Sequence, residues 1–183
     1  KDGSWTVPNP GLEDGDKVVA VAKDKAGNVS PPTTAIVDAI APPAPIVDPI
    51  NGKDPITGTA EPESKVTVTF PDGKTKTVTT DKDGSWTVPN PGLEDGDKVV
   101  AVAEDKAGNV SPPTTAIVDA VAPPAPIVDP INGKDPITGT AEPESKVTVT
   151  FPDGKTKTVT TDKDGSWTVP NPGLEDGDKV VAV

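Results

Sequence analysis

Three tryptophans, Trp5, Trp86 and Trp167, stand 81 residues apart in the chain, each inside the same stretch, Lys-Asp-Gly-Ser-Trp-Thr-Val-Pro-Asn-Pro-Gly. Laying residues 1–102 over 82–183 leaves two differences, Lys23 against Glu104 and Ile40 against Val121. The chain is about two and a quarter copies of one unit, so fold and function have to be read from that unit and from the joints between units. A unit of 81 residues lies at the small end of domains that fold alone.

Cysteine is absent and aromatic residues make up 3% of the chain. The core must therefore be built from Val, Ile, Ala and one Trp per repeat, with no disulfide to help. Cysteine and histidine are both missing, which excludes thiolate nucleophiles, imidazole bases and the usual zinc ligands. A net charge of −12 argues against nucleic acid and anionic membrane as partners. No apolar run is long enough to insert into a membrane as a helix.

The natural start of a unit is the proline-rich linker 42–45, which favours extended backbone. Strand A follows at 46–50, and its prolines mark an edge. Asn51-Gly52 signals a turn. Strand B spans 55–61. Strand C, 65–70, alternates Val66, Val68 and Phe70 with threonines and is the clearest strand of the repeat. Residues 71–74 form a tight turn into strand D at 75–80. Strand E carries Trp86 and Val88, with the tryptophan expected in the core. Leu93, in the long turn 89–96, plugs one end of that core. Strand F, 98–103, is apolar on both faces, as suits a central strand. Strand G spans about 110–118, again at an edge because of Pro112 and Pro113.

Seven short strands with turns every 8–12 residues predict an all-β fold of tandem immunoglobulin-like β-sandwich repeats. The expected organisation is 1–40 as the E–G part of one repeat, 41–121 as a complete repeat, and 122–183 as a repeat cut short in strand F. Such ends predict either disorder or pairing of one chain's E–G piece with another chain's open last domain. Residues 65–70 also form an aggregation-prone window once exposed.

The order of Ala-Pro-Pro-Ala-Pro at 41–45, Asn51-Gly52, Gly-Thr-Ala-Glu-Pro at 58–62, Asp-Gly-Ser-Trp at 83–86, Asp-Gly-Asp at 95–97 and Asp-Lys-Ala-Gly-Asn at 105–109 resembles the bacterial Ig-like repeats of giant surface adhesins. The likeness is nearest to the Bap-type biofilm-associated proteins of Gram-negative bacteria. It implies an extracellular stalk at the bacterial cell surface, holding an adhesive tip and supporting cell adhesion and biofilm formation. The implied partners are neighbouring repeats of the same chain and the same protein on other cells. It also implies calcium between adjacent domains.

The residues themselves point to the joints. In an Ig-like sandwich the B–C, D–E and F–G loops share a pole with the incoming linker, and here those loops are acidic. Candidate metal ligands at the first joint are Asp38, Glu61, Glu63, Asp81 and Asp105, with Asp83, Glu104 and Asn109 nearby. At the second they are Asp119, Glu142 and Glu144, where the missing F–G loop leaves the set incomplete. Calcium takes six to eight oxygen ligands, which carboxylates and carbonyls of this kind supply. The alternative is that they are solvated turn residues, chosen by turn geometry. Residues 81–84 lack the remaining ligands of an EF-hand loop. Catalysis by this chain is not expected. A glycan- or protein-binding module, and a spacer of a secreted enzyme, stay open beside the stalk reading.

Overall fold

The computed structural model describes residues 3–183, and it divides into two compact units, one reaching to Ala120 and one covering Val121–Val183. Every regular element among the described residues is a strand.

The first unit begins with a hairpin of β1 (Lys17–Ala20) and β2 (Thr33–Ile36), paired from Lys17↔Ile36 to Ala20↔Thr33. Residues 41–120 then form a complete two-layer sandwich. One sheet orders β3 (Ile46–Val47), β4 (Ile56–Thr59) and β7 (Ser85–Val88). The other orders β6 (Thr75–Thr79), β5 (Lys65–Thr69), β8 (Lys98–Glu104) and β9 (Thr114–Ile117). In the letters of the repeat these sheets are A-B-E and D-C-F-G. All seven predicted strands are present.

Two edge strands are shorter than their sequence suggests. Strand A stops at Val47 as a sheet partner of β4, because Pro49 cannot donate to a ladder. Ile50 then crosses to the opposite sheet and forms a parallel bridge with Val118. Strand G starts at Thr114, because Pro112 and Pro113 interrupt it. Val110 keeps only an isolated bridge to Glu104.

The core lies between the sheets. Ile56, Val66, Val68, Val88, Val99, Ala101, Ala103 and Val118 are essentially inaccessible, with Trp86 3% exposed. In β5 the alternation puts Val66 and Val68 inward, while Thr67 faces out and meets Thr77 at 3.0 Å between hydroxyls. The aggregation-prone window is therefore the middle of a four-stranded sheet, paired on both sides.

Trp86 lies flat over Gly58, its cross-strand partner. A Cβ at residue 58 would come within 2.5 Å of the indole Cζ2 and would strike the Ile46 carbonyl, so only glycine admits the ring here. Neither Trp86 Nε1 nor Trp167 Nε1 has a hydrogen-bond partner among the described residues, so the ring serves as apolar volume. Asn51-Gly52 turns the chain, as its sequence signals, through the asparagine side chain. Asn51 Oδ1 accepts from Lys53 N (2.9 Å) and Asp54 N (2.7 Å), and Gly52 is small because a Cβ would lie 2.8 Å from the Leu93 carbonyl. Leu93 closes that end of the core, as expected.

The second unit repeats the design with sheets β10 (Ile127–Val128), β11 (Ile137–Thr140), β14 (Ser166–Val169) and β13 (Thr156–Thr160), β12 (Lys146–Thr150), β15 (Val181–Ala182). Its core holds Ile137, Val147, Val149, Trp167, Val169 and Leu174.

Candidate functional site: the acidic pole of the complete sandwich

Local hydrogen bonding builds this pole. Thr80 and Ser64 are buried polar residues at the ends of β6 and β5. The Thr80 hydroxyl donates to the Glu61 carbonyl (2.7 Å) and accepts from Ser64 N (3.0 Å), while the Ser64 hydroxyl also donates to Glu61 O (2.7 Å). Glu63 N donates to the Asp81 carbonyl (3.3 Å). These bonds lock the loop between β4 and β5 against the turn before β7. They hold Glu63 in the left-handed region (φ 60), an uncommon place for a residue with a side chain. Glu144 repeats it (φ 59), so the conformation belongs to the loop sequence.

The loop between β8 and β9 forms the opposite wall. Asp105 is 8% exposed. Its two oxygens accept from Asn109 N (2.9 Å) and Asn109 Nδ2 (2.8 Å). The side-chain bond, followed by backbone N–H groups of the same turn, holds its carboxyl below the usual range against the opposing effect of burial. The Lys106 ammonium pairs with Glu63 across the cleft and lowers the Glu63 pKa, through the hydrogen bond first and the charge second. Asn109 Nδ2 also donates to the backbone carbonyl of Asp38, 71 residues earlier, at 3.0 Å.

Asp38, Glu61, Pro62, Glu63, Ser64, Asp105 and Lys106 line one cleft of about 150 Å³. Four acidic residues read from the sequence as the first joint thus share a cleft. Asp81 is at the same pole but outside that lining; its Oδ1 caps its own turn by accepting from Asp83 N (2.9 Å) and Ser85 N (2.8 Å). Asp119 lies in the first unit, its N–H donating to Ile50 O at 2.9 Å. Glu142 and Glu144 lie in the loop between β11 and β12 of the second unit.

The chemistry of the cleft suits a hard cation, and its spacing does not. Among the described residues no three acidic side chains converge on a point where one ion would sit. Lys106 supplies the positive charge to Glu63 instead. The residues in this arrangement do not fit a calcium ion with its six to eight oxygens. Lys106, Ser64 and Thr80 were not among the candidates drawn from sequence. A search for ligands of an added cation passes over a lysine that is itself the cation. The signal available was a lysine beside Asp105 in an otherwise acidic loop.

Solved structures similar to the chain include a biofilm-associated protein BSP domain, 24% identical, with a TM-score of 0.38, covering 76% of this chain and 26% of that one. The chicken CNTN1 FN1–FN3 domains are 19% identical with a TM-score of 0.46, covering 85% of this chain and 65% of theirs. A two-domain fibronectin type III segment of chicken tenascin is 19% identical with a TM-score of 0.31, covering 78% and 90%. The chain thus spans about a quarter of the length of the biofilm-associated structure. Comparison with curated proteins gives no match. The profile of the bacterial Ig domain matches residues 41–120 and again 122–183, the two segments that fold as sandwiches here. The chain therefore belongs to the bacterial Ig domain family.

Proposed function

We propose that these repeats are links of a structural stalk in an extracellular bacterial adhesin, at the cell surface, extending an adhesive tip and supporting cell adhesion and biofilm formation. Membership of the bacterial Ig domain family supports a structural, non-catalytic module. Near-identity of the copies supports a spacer, since each added copy adds length, whereas a recognition module gains little from being copied almost unchanged. The observation that carries the reading is the grip of Asn109 on the Asp38 carbonyl. The sandwich holds the segment that leads into it with a hydrogen bond from its own F–G loop. The partners of each link are its neighbours in the chain, and beyond them the same protein on other cells.

Calcium as a stiffener is the finer part of this proposal. It requires Lys106 to leave Glu63 and the carboxylates of Asp38, Glu61 and Asp105 to close in, so the ammonium and the ion compete for one place. The test is small-angle scattering of the dilute chain in calcium and in chelator. An elongated particle that calcium lengthens or stiffens supports both parts. Equal dimensions and equal melting temperatures in the two buffers remove calcium and leave the stalk. A compact particle removes the stalk.

A further inference from the structure

The peptide group between Asp38 and Ala39 is held from both sides. Its N–H, on Ala39, donates to Asp14 Oδ1 at 3.0 Å, in the turn before β1. Its C=O, on Asp38, accepts from Asn109 Nδ2 at 3.0 Å, in the loop between β8 and β9 of the sandwich that follows. One peptide plane thus carries a hydrogen bond to each of two consecutive repeats. The plane is rigid about its C–N bond, so bonds at its two opposite edges fix its rotation, which neither bond does alone.

Each grip is prepared by its own repeat. On the exit side Gly15 N donates to Val37 O (2.9 Å) and Val37 N donates to Asp16 O (2.8 Å), which brings the Ala39 N–H to the Asp14 carboxylate. The complete sandwich does the same with Gly96 N to Val118 O (2.8 Å), Val118 N to Asp97 O (2.9 Å) and Ala120 N to Asp95 Oδ1 (3.0 Å), so this exit belongs to the repeat. On the entry side Asp105 accepts from Asn109 N and from one Nδ2 hydrogen, which aims the other hydrogen of that amide at Asp38. Asp24 holds Asn28 by the same two bonds in its own turn, so the pose of the amide is set by the turn. Between the two grips the linker ties itself, with Ile40 N donating to Asp38 Oδ1 at 3.3 Å.

We infer that this peptide group is a latch through which neighbouring repeats sense one another. Asp14, the 38–39 peptide, the Asn109 amide and Asp105 form one hydrogen-bonded relay, running from the turn before β1 to the buried carboxylate of the next repeat. A carboxylate accepting from the Ala39 N–H polarises the peptide and makes the Asp38 oxygen a better acceptor for Asn109. Loss of either grip frees the plane to turn and weakens the other grip. Such coupling is reciprocal, so a change at Asn109 must be felt at Ala39 and a change at Asp14 must be felt at Asn109. The stalk reading rests on the same Asn109 bond, but it is judged by the length of the particle and the latch by local exchange, so either can fail alone.

Amide hydrogen exchange of the 183-residue chain, followed by nuclear magnetic resonance, is the experiment. The amides of Ala39 and Ala120 are told apart because Ile40 follows one and Val121 the other. Asn109→Ala leaves the acceptor of Ala39, Asp14, in place, and should speed Ala39 exchange about two- to tenfold, the range for loss of one hydrogen bond. Ala120, bonded to Asp95, should keep its rate. In the reverse direction Asp14→Ala, a change at an exposed turn, should shift the Nδ2 resonances of Asn109, whereas Asp95→Ala should not. Unchanged exchange at Ala39 in Asn109→Ala overturns the latch. So do Asn109 Nδ2 resonances that ignore Asp14→Ala. Equal acceleration of Ala39 and Ala120 would mean that Asn109→Ala has loosened the whole sandwich, and the Asp14→Ala result then decides.

Discussion

The same eleven residues occur at 1–11, 82–92 and 163–173, and the chain places them in different surroundings. Trp86 and Trp167 are each 3% exposed, in β7 and β14, paired to β4 and β11 over a glycine. Trp5 is 70% exposed, and residues 4–7 form no strand. Local sequence is identical, so it cannot be what makes the strand. The partner strand and the sheet beneath it make it, as expected if β-propensity is chiefly a preference for a half-buried pleated surface. The hairpin β1–β2 adds the converse: it keeps its ladder without a core, because its two strands supply one another's hydrogen bonds.

The largest test of that comparison is truncation of the three tryptophans. Trp86→Ala should cost the complete sandwich about 3–5 kcal/mol, the usual range for a large aromatic deleted from a packed core. Trp167→Ala should do the same to the second unit. Trp5→Ala should stay within about 0.5 kcal/mol, as for an exposed site. Urea unfolding followed by far-ultraviolet circular dichroism reads all three. Equal costs at Trp5 and Trp86 would mean that residues 3–16 belong to a core in solution.

Gly58→Ala should come next, at about 1–3 kcal/mol, because the new methyl meets a backbone carbonyl and a ring already packed on it. Gly73→Ala makes the useful control. A Cβ there meets nothing within 4 Å, and the cost is that of a left-handed φ of 79° alone. A Gly58→Ala penalty no larger than that of Gly73→Ala would show that the ring can shift and the stacking is loose.

Much of this was legible beforehand, for physical reasons that differ from residue to residue. Val66 and Val68 announce an inward face by strict alternation, and Trp86 was expected in the core and lies there. The acidic pole was legible because a sandwich's connectivity decides which loops meet, which groups Asp38, Glu61, Glu63 and Asp105 from the order of strands alone. What could not be read was how charge is balanced within the cleft. Whether Glu63 faces an ion or the Lys106 ammonium depends on side-chain reach across a gap. Thr80 was read as the end of a strand, and its role as an internal tie for Glu61 depends on burial. Residues 4–7 form no strand, although the same four residues do at 85–88 and 166–169.

Asp24 occupies the same turn as Asp105, in the hairpin segment instead of on the sandwich. Asn28 donates to Asp24 from its backbone N and its Nδ2 at 2.8 Å each, matching the bonds of Asn109 to Asp105. Both carboxyls are held below their ordinary value, first by the asparagine side chain. A lowered folded-state pKa means that the unfolded chain binds the proton more readily. The stabilisation is present at neutral pH and is lost as pH falls through about 4 and below. Glu63 adds to it in the same direction, because Lys106 lowers its pKa too. Asp105 and Glu63 sit on the complete sandwich, as does Asp72, whose carboxyl the Lys74 hydrogen bond holds low, so the thermal stability of that unit should fall between about pH 5 and pH 3. Asp105→Asn should flatten the dependence and Asp24→Asn should leave it unchanged. A profile equally altered by both variants would mean that the hairpin segment unfolds together with the sandwich.

The smallest expected effect concerns the position at which the copies differ inside a strand. Lys65 and Glu104 stand opposite one another in the β5–β8 register, 3.7 Å apart, with both side chains partly in solvent. An exposed pair of this kind is worth about 0.2–1 kcal/mol and is screened by salt. Glu104→Lys makes the second copy identical at this position to the first. It replaces attraction with repulsion across a ladder, so the loss should fall at the upper end of that range at low ionic strength and shrink in about 1 M salt, where the Debye length is about 3 Å. Lys65→Glu should cost a similar amount. The double exchange, with the charges reversed, should recover most of the loss, because the register brings the two side chains together whichever carries the positive charge. Failure of the double variant to recover would mean that the charge at 104 acts through the neighbouring acidic pole, one residue from Asp105, and that the difference between the copies tunes the joint instead of the sheet.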